Sequence, residues 1–290
     1  MSSESDQTSD SETKTGTNKT LDQTGSLIDT LSLVFADAAA CVRFFSRLPL
    51  ARVNSADDPA RAPNFSLISR AAPLAGVFVA LPAAGLGLFL GFTELPSLAV
   101  ACLTVALLAA TTGALHEDGL SDLADGFFGG ATRERRLEIM KDSRIGSFGA
   151  LALVLAVLLR VALLAALWQR FSSADAALLF LCAEALSRTL LVWQWQQRPL
   201  ARPDGLAARF GKPGRPTLQQ ALLISLPLLL PALFILTIPA LFLGLLIAAT
   251  VAYATGQLAV MKIGGVTGDV LGAIQQLSGL GFLLGMLTVP

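Results

Sequence analysis

Along the chain, polar positions gather into short stretches that separate long apolar ones. Six apolar segments, at about 72–92, 96–115, 148–168, 175–195, 218–238 and 239–260, each hold roughly the 20 residues that carry a helix across a bilayer core. A weaker seventh covers 270–290. The boundary between the fifth and sixth is marked only by Pro239. Before the first, residues 27–48 alternate apolar positions with Asp29, Asp37, Arg43 and Arg47, which predicts an amphipathic helix that is interfacial or partly embedded. Residues 1–26 are Ser, Thr, Asp and Glu with almost no apolar content, so they cannot offset the entropy of ordering and are expected to form a disordered tail. They lack the basic start and apolar core of a signal peptide, which leaves insertion to the internal spans. The pattern predicts an all-α polytopic membrane protein of six to seven transmembrane helices, with 27–290 as one integral membrane domain.

Composition agrees with the pattern. Of the 290 residues 53% are hydrophobic and 14% charged, a balance beyond what a soluble core of this size needs. Net charge is zero, which argues against a nucleic-acid partner. Cys41, Cys102 and Cys182 are far apart and lack metal or redox spacing, so they are read as packing residues. The local placement of charge is more informative. Most of the 21 basic residues fall before the first span, between the second and third, between the fourth and fifth, or after the sixth, whereas the opposite connections hold only Arg170. By the positive-inside rule the two long loops, about 116–147 and 196–217, face the cytoplasm. Any chemistry then belongs to these loops.

The second apolar segment runs into HEDGLSDLADGFFGG, residues 116–130. Asp118, Asp122 and Asp125 stand at i, i+4 and i+7, within an arc of about 60° on a helix. At an effective dielectric of about 20, each adjacent pair near 6 Å repels by about 3 kcal/mol before screening. A bound cation or protonation relieves that repulsion, and hard oxygen donors without sulfur favour Mg²⁺, which bridges carboxylates to phosphates. The competing reading is a solvated acidic helix end. Nearby Gly119, Gly126, Gly129 and Gly130 let backbone approach a ligand. The next stretch, RERRLEIMKDSRIGSFG at 133–149, sets Glu138 and Asp142 among Arg135, Arg136, Lys141 and Arg144. Carboxylates for a metal beside bases for phosphate suit pyrophosphate chemistry; a positive-inside loop with surface ion pairs is the alternative. Within the fourth span Glu184 and Arg188 lie at i, i+4, serving either function or mutual neutralisation. Arg160 in the third span either snorkels or finds an internal partner. In GGVTGDVLGA, residues 264–273, Asp269 starts a helix, either beside a phosphate-binding amide cluster or as a cap. His116, the only histidine, reads as an acid, a base or a phosphate partner, or as a hydrogen-bonding residue beside the acids.

At these residues the chain resembles the cobalamin synthase family, the adenosylcobinamide-GDP ribazoletransferases. HEDGLSDLADGFFGG and RERRLEIMKDSRIGSFG are similar to the family's HxDGLxDxxDG and EIMxDSRxG signatures in order and spacing, and FFSRLPL, Ser187-Arg188 and GGVTGDVLGA match as well. The likeness covers about 44–290. It implies a Mg²⁺-dependent transfer at the cytoplasmic face of the inner membrane, in which adenosylcobinamide-GDP and α-ribazole or its phosphate give a cobalamin and GMP. It further implies metal ligation by Asp118, Asp122, Asp125 and Asp142, catalytic roles for His116, Asp122, Lys141 and Asp142, and substrate contacts from Ser143, Arg144, Arg188, Gly265, Thr267 and Asp269. The implied partners are these substrates and the lipid bilayer, and the pattern is compatible with a homo-oligomer. Three positions depart from the family: Glu117 is commonly apolar there, and Gln276 and Gly279 stand where acids are frequent. Two other readings compete. A CDP-alcohol phosphotransferase also begins its signature D-x-x-D-G, but Phe127-Phe128-Gly129-Gly130 lacks the expected continuation. A cation-coupled transporter would use Glu184, Arg188 and the acids as a pathway, but no internal repeat supports it.

Overall fold

The computed structural model describes residues 28–203 and 205–289; the polar stretch 1–26 lies outside them. The described chain is helical, with α1 at 28–45, followed by α2 (Phe65–Ile68) and α3 (Ala72–Leu90), which run on as one rod. Next come α4 (Ser97–Thr112), α5 (Leu115–Gly129), the short α6 (Arg133–Ile139), α7 (Ser147–Arg170) and α8 (Ser173–Gln197). The remainder is α9 (Leu206–Arg209), α10 (Arg215–Leu228), α11 (Leu230–Ile235), α12 (Ile238–Ile263) and α13 (Gly268–Leu287). Among the described residues five helices are long and apolar enough to cross a membrane, or six if α4 and α5 count as one bent span. No strand occurs among them; one parallel bridge joins Leu200 to Val266.

The bend positions the site. Helix α5 leaves α4 at 88°. Two consecutive left-handed residues, Gly113 (φ 64°) and Ala114 (φ 57°), end one helix and begin the other. Such a conformation is cheap for glycine and costly for most other residues. A Cβ at Gly113 would also lie 2.1 Å from Nε of the exposed Arg47 side chain, which would have to swing aside. The Arg47 amide donates to the Thr111 carbonyl at 2.8 Å, which ties the end of α1 to the corner. The segment expected as a loop from 116 is therefore a helix laid across the bundle, packed on α13 and α7.

Two spans differ from the sequence expectation. The single helix expected over 218–238 is broken into α10 and α11, because Pro231 has no N–H to donate to the Pro227 carbonyl. The pair still climbs alongside α8: Thr217 Oγ1 donates to Ser66 O at 2.7 Å near one end, and Cys182 Sγ meets Leu228 O at 3.3 Å midway. The weaker seventh segment is a full 20-residue helix and one of the most buried. Its low hydropathy reflects Gln275, Gln276 and Ser278, which face protein rather than lipid. As the cysteine reading expects, Cys41 and Cys182 are buried; Cys102 is exposed, and all three are free.

At one end of the bundle, basic residues clasp helix termini. Arg136 Nη1 donates to Lys262 O at 3.0 Å, Lys262 Nζ to Phe127 O at 3.2 Å, Arg133 Nη2 to Ala201 O at 3.2 Å, and Arg202 to Leu137 O. Cations favour the carbonyl ends of helices, where backbone acceptors lack intrahelical partners. These contacts bring the connections after α5, α8 and α12 together. Here Arg133 and Arg136 hold the fold.

Candidate active site

The acid face forms on α5 as the spacing predicts, but its members part company. Asp118 is exposed, Asp122 half-buried and Asp125 buried, so the helix runs from the rim inward. Gly119 allows the crossing with α13: a Cβ there would sit 2.8 Å from the Asp269 carbonyl oxygen. Asp269 is thereby set beside Asp118 and Asp122, and Asp118, Asp269 and Asp125 all repel Asp122 electrostatically. Among the described residues none of Asp118, Asp122 and Asp269 forms an ion pair. Nearby, Glu117 Oε2 is buried without a hydrogen-bond partner.

Asp125 has a different task. Its two oxygens accept from the amides of Gly146 and Gly149 at 2.7 and 2.8 Å, which satisfies free donors at the start of α7. This anchors the loop that carries Lys141, Asp142, Ser143 and Arg144. Asp125, Asp142 and Arg144 border one cavity. Arg144 grips Asp142 through Nη2 at 2.6 Å, and the guanidinium holds the Asp142 carboxyl down at about 2. Lys141 and Ser143 are exposed on the same loop.

Arg188 lies elsewhere, in the centre of the bundle. Glu184 Oε2 accepts from Arg188 Nη1 at 2.6 Å and from Gln275 Nε2 at 3.2 Å, while its Oε1 accepts from Arg160 at 3.1 Å. Arg160 also donates to Gln276 Oε1 at 2.9 Å, so the neutral amide at 276 fits a network already holding two guanidiniums and one carboxylate. Arg160 has thus found an internal partner. Nε and Nη2 of Arg188 are buried without partners, and its guanidinium stands 6.0 Å from the Phe45 ring, which also lies 5.6 Å from His116. Gln275 escaped sequence reasoning because an uncharged polar residue in a span carries no distinctive signal.

The glycine-rich turn before α13 has mainly structural contacts. Gly265 packs on Pro199 O, Val266 exchanges backbone hydrogen bonds with Pro199 and Ala201, and Thr267 Oγ1 caps α13 by accepting from the Val270 amide at 3.3 Å. Asp269 alone of the three predicted substrate contacts there reaches the acids. A second feature escaped the sequence: a cavity of about 220 Å³ beside them, walled by Phe44, Phe45, Leu191, Trp195 and Phe210, with Asp118 and Asp269 also on its lining. Its wall comes from segments distant in the chain, each locally ordinary for a membrane protein.

The donor chemistry suits a hard divalent ion. Among the described residues no three His, Cys, Asp or Glu side chains stand close enough to hold an ion by themselves. Mg²⁺ commonly takes only one or two protein carboxylates, the rest of its shell being water and substrate phosphates. Asp118 and Asp122 fit such a role. Asp142 stands apart with Arg144.

Residues 37–287 match the profile of a family described as cobalamin-5-phosphate synthase. The chain is 43% identical to an adenosylcobinamide-GDP ribazoletransferase of Azorhizobium caulinodans over 88% of its own length and 97% of the relative's. Proteins of the same name from Sinorhizobium medicae (44% identity, 83% and 92% coverage) and Brucella anthropi (42%, 87% and 96%) are similar. No solved structure matches. None of these relatives supports the transporter reading.

Proposed function

The chain belongs to the cobalamin-5-phosphate synthase family, and from that premise we propose that it transfers the adenosylcobinamide phosphate group of adenosylcobinamide-GDP to α-ribazole or α-ribazole 5′-phosphate, with release of GMP. The observation that carries the reading is the convergence of Asp118, Asp122 and Asp269 at the edge of an aromatic cavity, without an ion-pair partner among the described residues. Such a group of like charges has a use where a polyanionic substrate arrives with a cation.

The acceptor hydroxyl oxygen attacks the phosphorus bonded to cobinamide, and a new P–O bond forms. The bond from that phosphorus to the bridging oxygen breaks, and GMP leaves with that oxygen. The hydroxyl proton passes to a carboxylate of the acid cluster. Asp118 and Asp122 would hold Mg²⁺, which when bound neutralises phosphate charge in the transition state. Lys141 and Arg144, on the loop anchored by Asp125, supply positive charge to the diphosphate, and Ser143 a hydroxyl donor. His116 sits between the cavity and the acids, in reach of the acceptor sugar. The site faces the cytoplasm from the inner membrane, a reading supported by the basic connections gathered at its end of the bundle.

The test is transfer by purified protein supplied with adenosylcobinamide-GDP, α-ribazole phosphate and Mg²⁺. The expected result is equimolar GMP and cobalamin product, lost on chelation and restored by added Mg²⁺. No GMP from folded protein, or undiminished release in excess chelator, overturns the corresponding part of the reading.

A further inference from the structure

The cavity beside the acids has a size and a wall that select among the pieces of the two substrates. We propose that it seats the base of the acceptor, the dimethylbenzimidazole of α-ribazole, rather than the guanine or the corrin of the donor. The proposal rests on the transfer reading above and assigns one substrate fragment to one place.

Size excludes the corrin. About 220 Å³ is smaller than the roughly 300–1,000 Å³ of pockets that enclose drug-sized ligands. A two-ring base fits such a space; a substituted macrocycle does not.

The wall then separates the two bases. Leu191 and Trp195 stand one helical turn apart on α8 and share a face, opposite Phe44, Phe45 and Phe210. Guanine would bring a ring N–H, an exocyclic amine and a carbonyl against the aromatic part of this wall, where its donors could pair only by reaching the Asp118 and Asp269 carboxylates at the rim, and each buried polar group without a partner is costly. Dimethylbenzimidazole in a riboside presents two methyl groups, two aromatic faces and a single free ring nitrogen, which is an acceptor.

Trp195 meets the cavity through its aromatic body, since Nε1 itself is buried, and the base is held there by stacking rather than by a hydrogen bond. His116, two residues from Asp118 on α5, is left for the sugar. With the base inserted, the ribose emerges where Asp118 and Asp269 border the same cavity, so its hydroxyls face the carboxylates.

The measurement is KM for each substrate separately, with full-length protein in detergent and α-ribazole phosphate as the acceptor. Leu191→Trp fills the cavity and should raise the acceptor KM about tenfold or more while leaving the adenosylcobinamide-GDP KM within about twofold. Trp195→Phe trims the two-ring indole to one ring and so removes part of the stacking face; it should raise the acceptor KM about fivefold while leaving the adenosylcobinamide-GDP KM within about twofold. This second variant decides the question if Leu191→Trp does not fold. A rise confined to the donor KM, or both KM values unchanged in a folded variant with an active wild type, overturns the proposal alone. Absence of wild-type turnover with both substrates overturns the transfer reading and this proposal with it.

Discussion

Two clusters of charge in this molecule obey opposite rules. At the centre of the bundle Glu184 holds two arginines, with Gln275 and Gln276 adding further hydrogen bonds. At the end, Asp118, Asp122 and Asp269 gather with no ion-pair partner among the described residues. The first arrangement answers the cost of charge away from water, where an unpaired ion is barely tolerated. The second lies at the rim, where water limits that cost and leaves the carboxylates available. Both clusters contain charged residues at helical spacing, so spacing alone does not distinguish a site from a support. What distinguishes them is whether the opposite charge is in direct contact: Arg202 acts on Asp269 only from a distance, whereas both arginines touch Glu184.

The sharpest break of this contrast is Glu184→Gln, expected to lower stability by about 3–5 kcal/mol, because Arg160 and Arg188 would remain buried without their carboxylate. Thermal unfolding in detergent and membrane abundance report it; wild-type stability would mean that the network is not a support. Asp122→Asn should act in reverse, with transfer reduced by about 10²–10³-fold. Its melting temperature should stay level or rise, since a repulsive charge is removed. Near-normal GMP release at low Mg²⁺ would take Asp122 out of the acid site. Asp125→Asn should be mildest, costing about 1 kcal/mol through the weakened contact to the Gly146 and Gly149 amides, with most activity retained. A loss of activity equal to that of Asp122→Asn, at unchanged stability, would move Asp125 from the supporting class into the chemical one.

The parts legible in the sequence were those fixed by local rules. Apolar length marked the membrane helices, and i, i+4 spacing put Asp118 and Asp122 on one face. The break at Leu229 was not read because the apolar run continues unbroken across it while Pro231 interrupts only the hydrogen-bond ladder. Asp125 was read with its neighbours because its acceptors' partners, the amides of Gly146 and Gly149, come from the far side of a connection. The Glu184–Arg188 pair was legible from its i, i+4 spacing, whereas Arg160 and Gln275, which also bond Glu184, come from other helices. The aromatic cavity was invisible for the same reason: Phe44, Trp195 and Phe210 converge only after folding.

The corner between α4 and α5 also has a history in time. Arg47, whose stem fills the space beside Gly113, precedes that glycine in the chain and so leaves the ribosome first. The turn itself is local, made by Gly113 and Ala114 alone, so no segment that follows in the chain is needed to bend the α4–α5 corner.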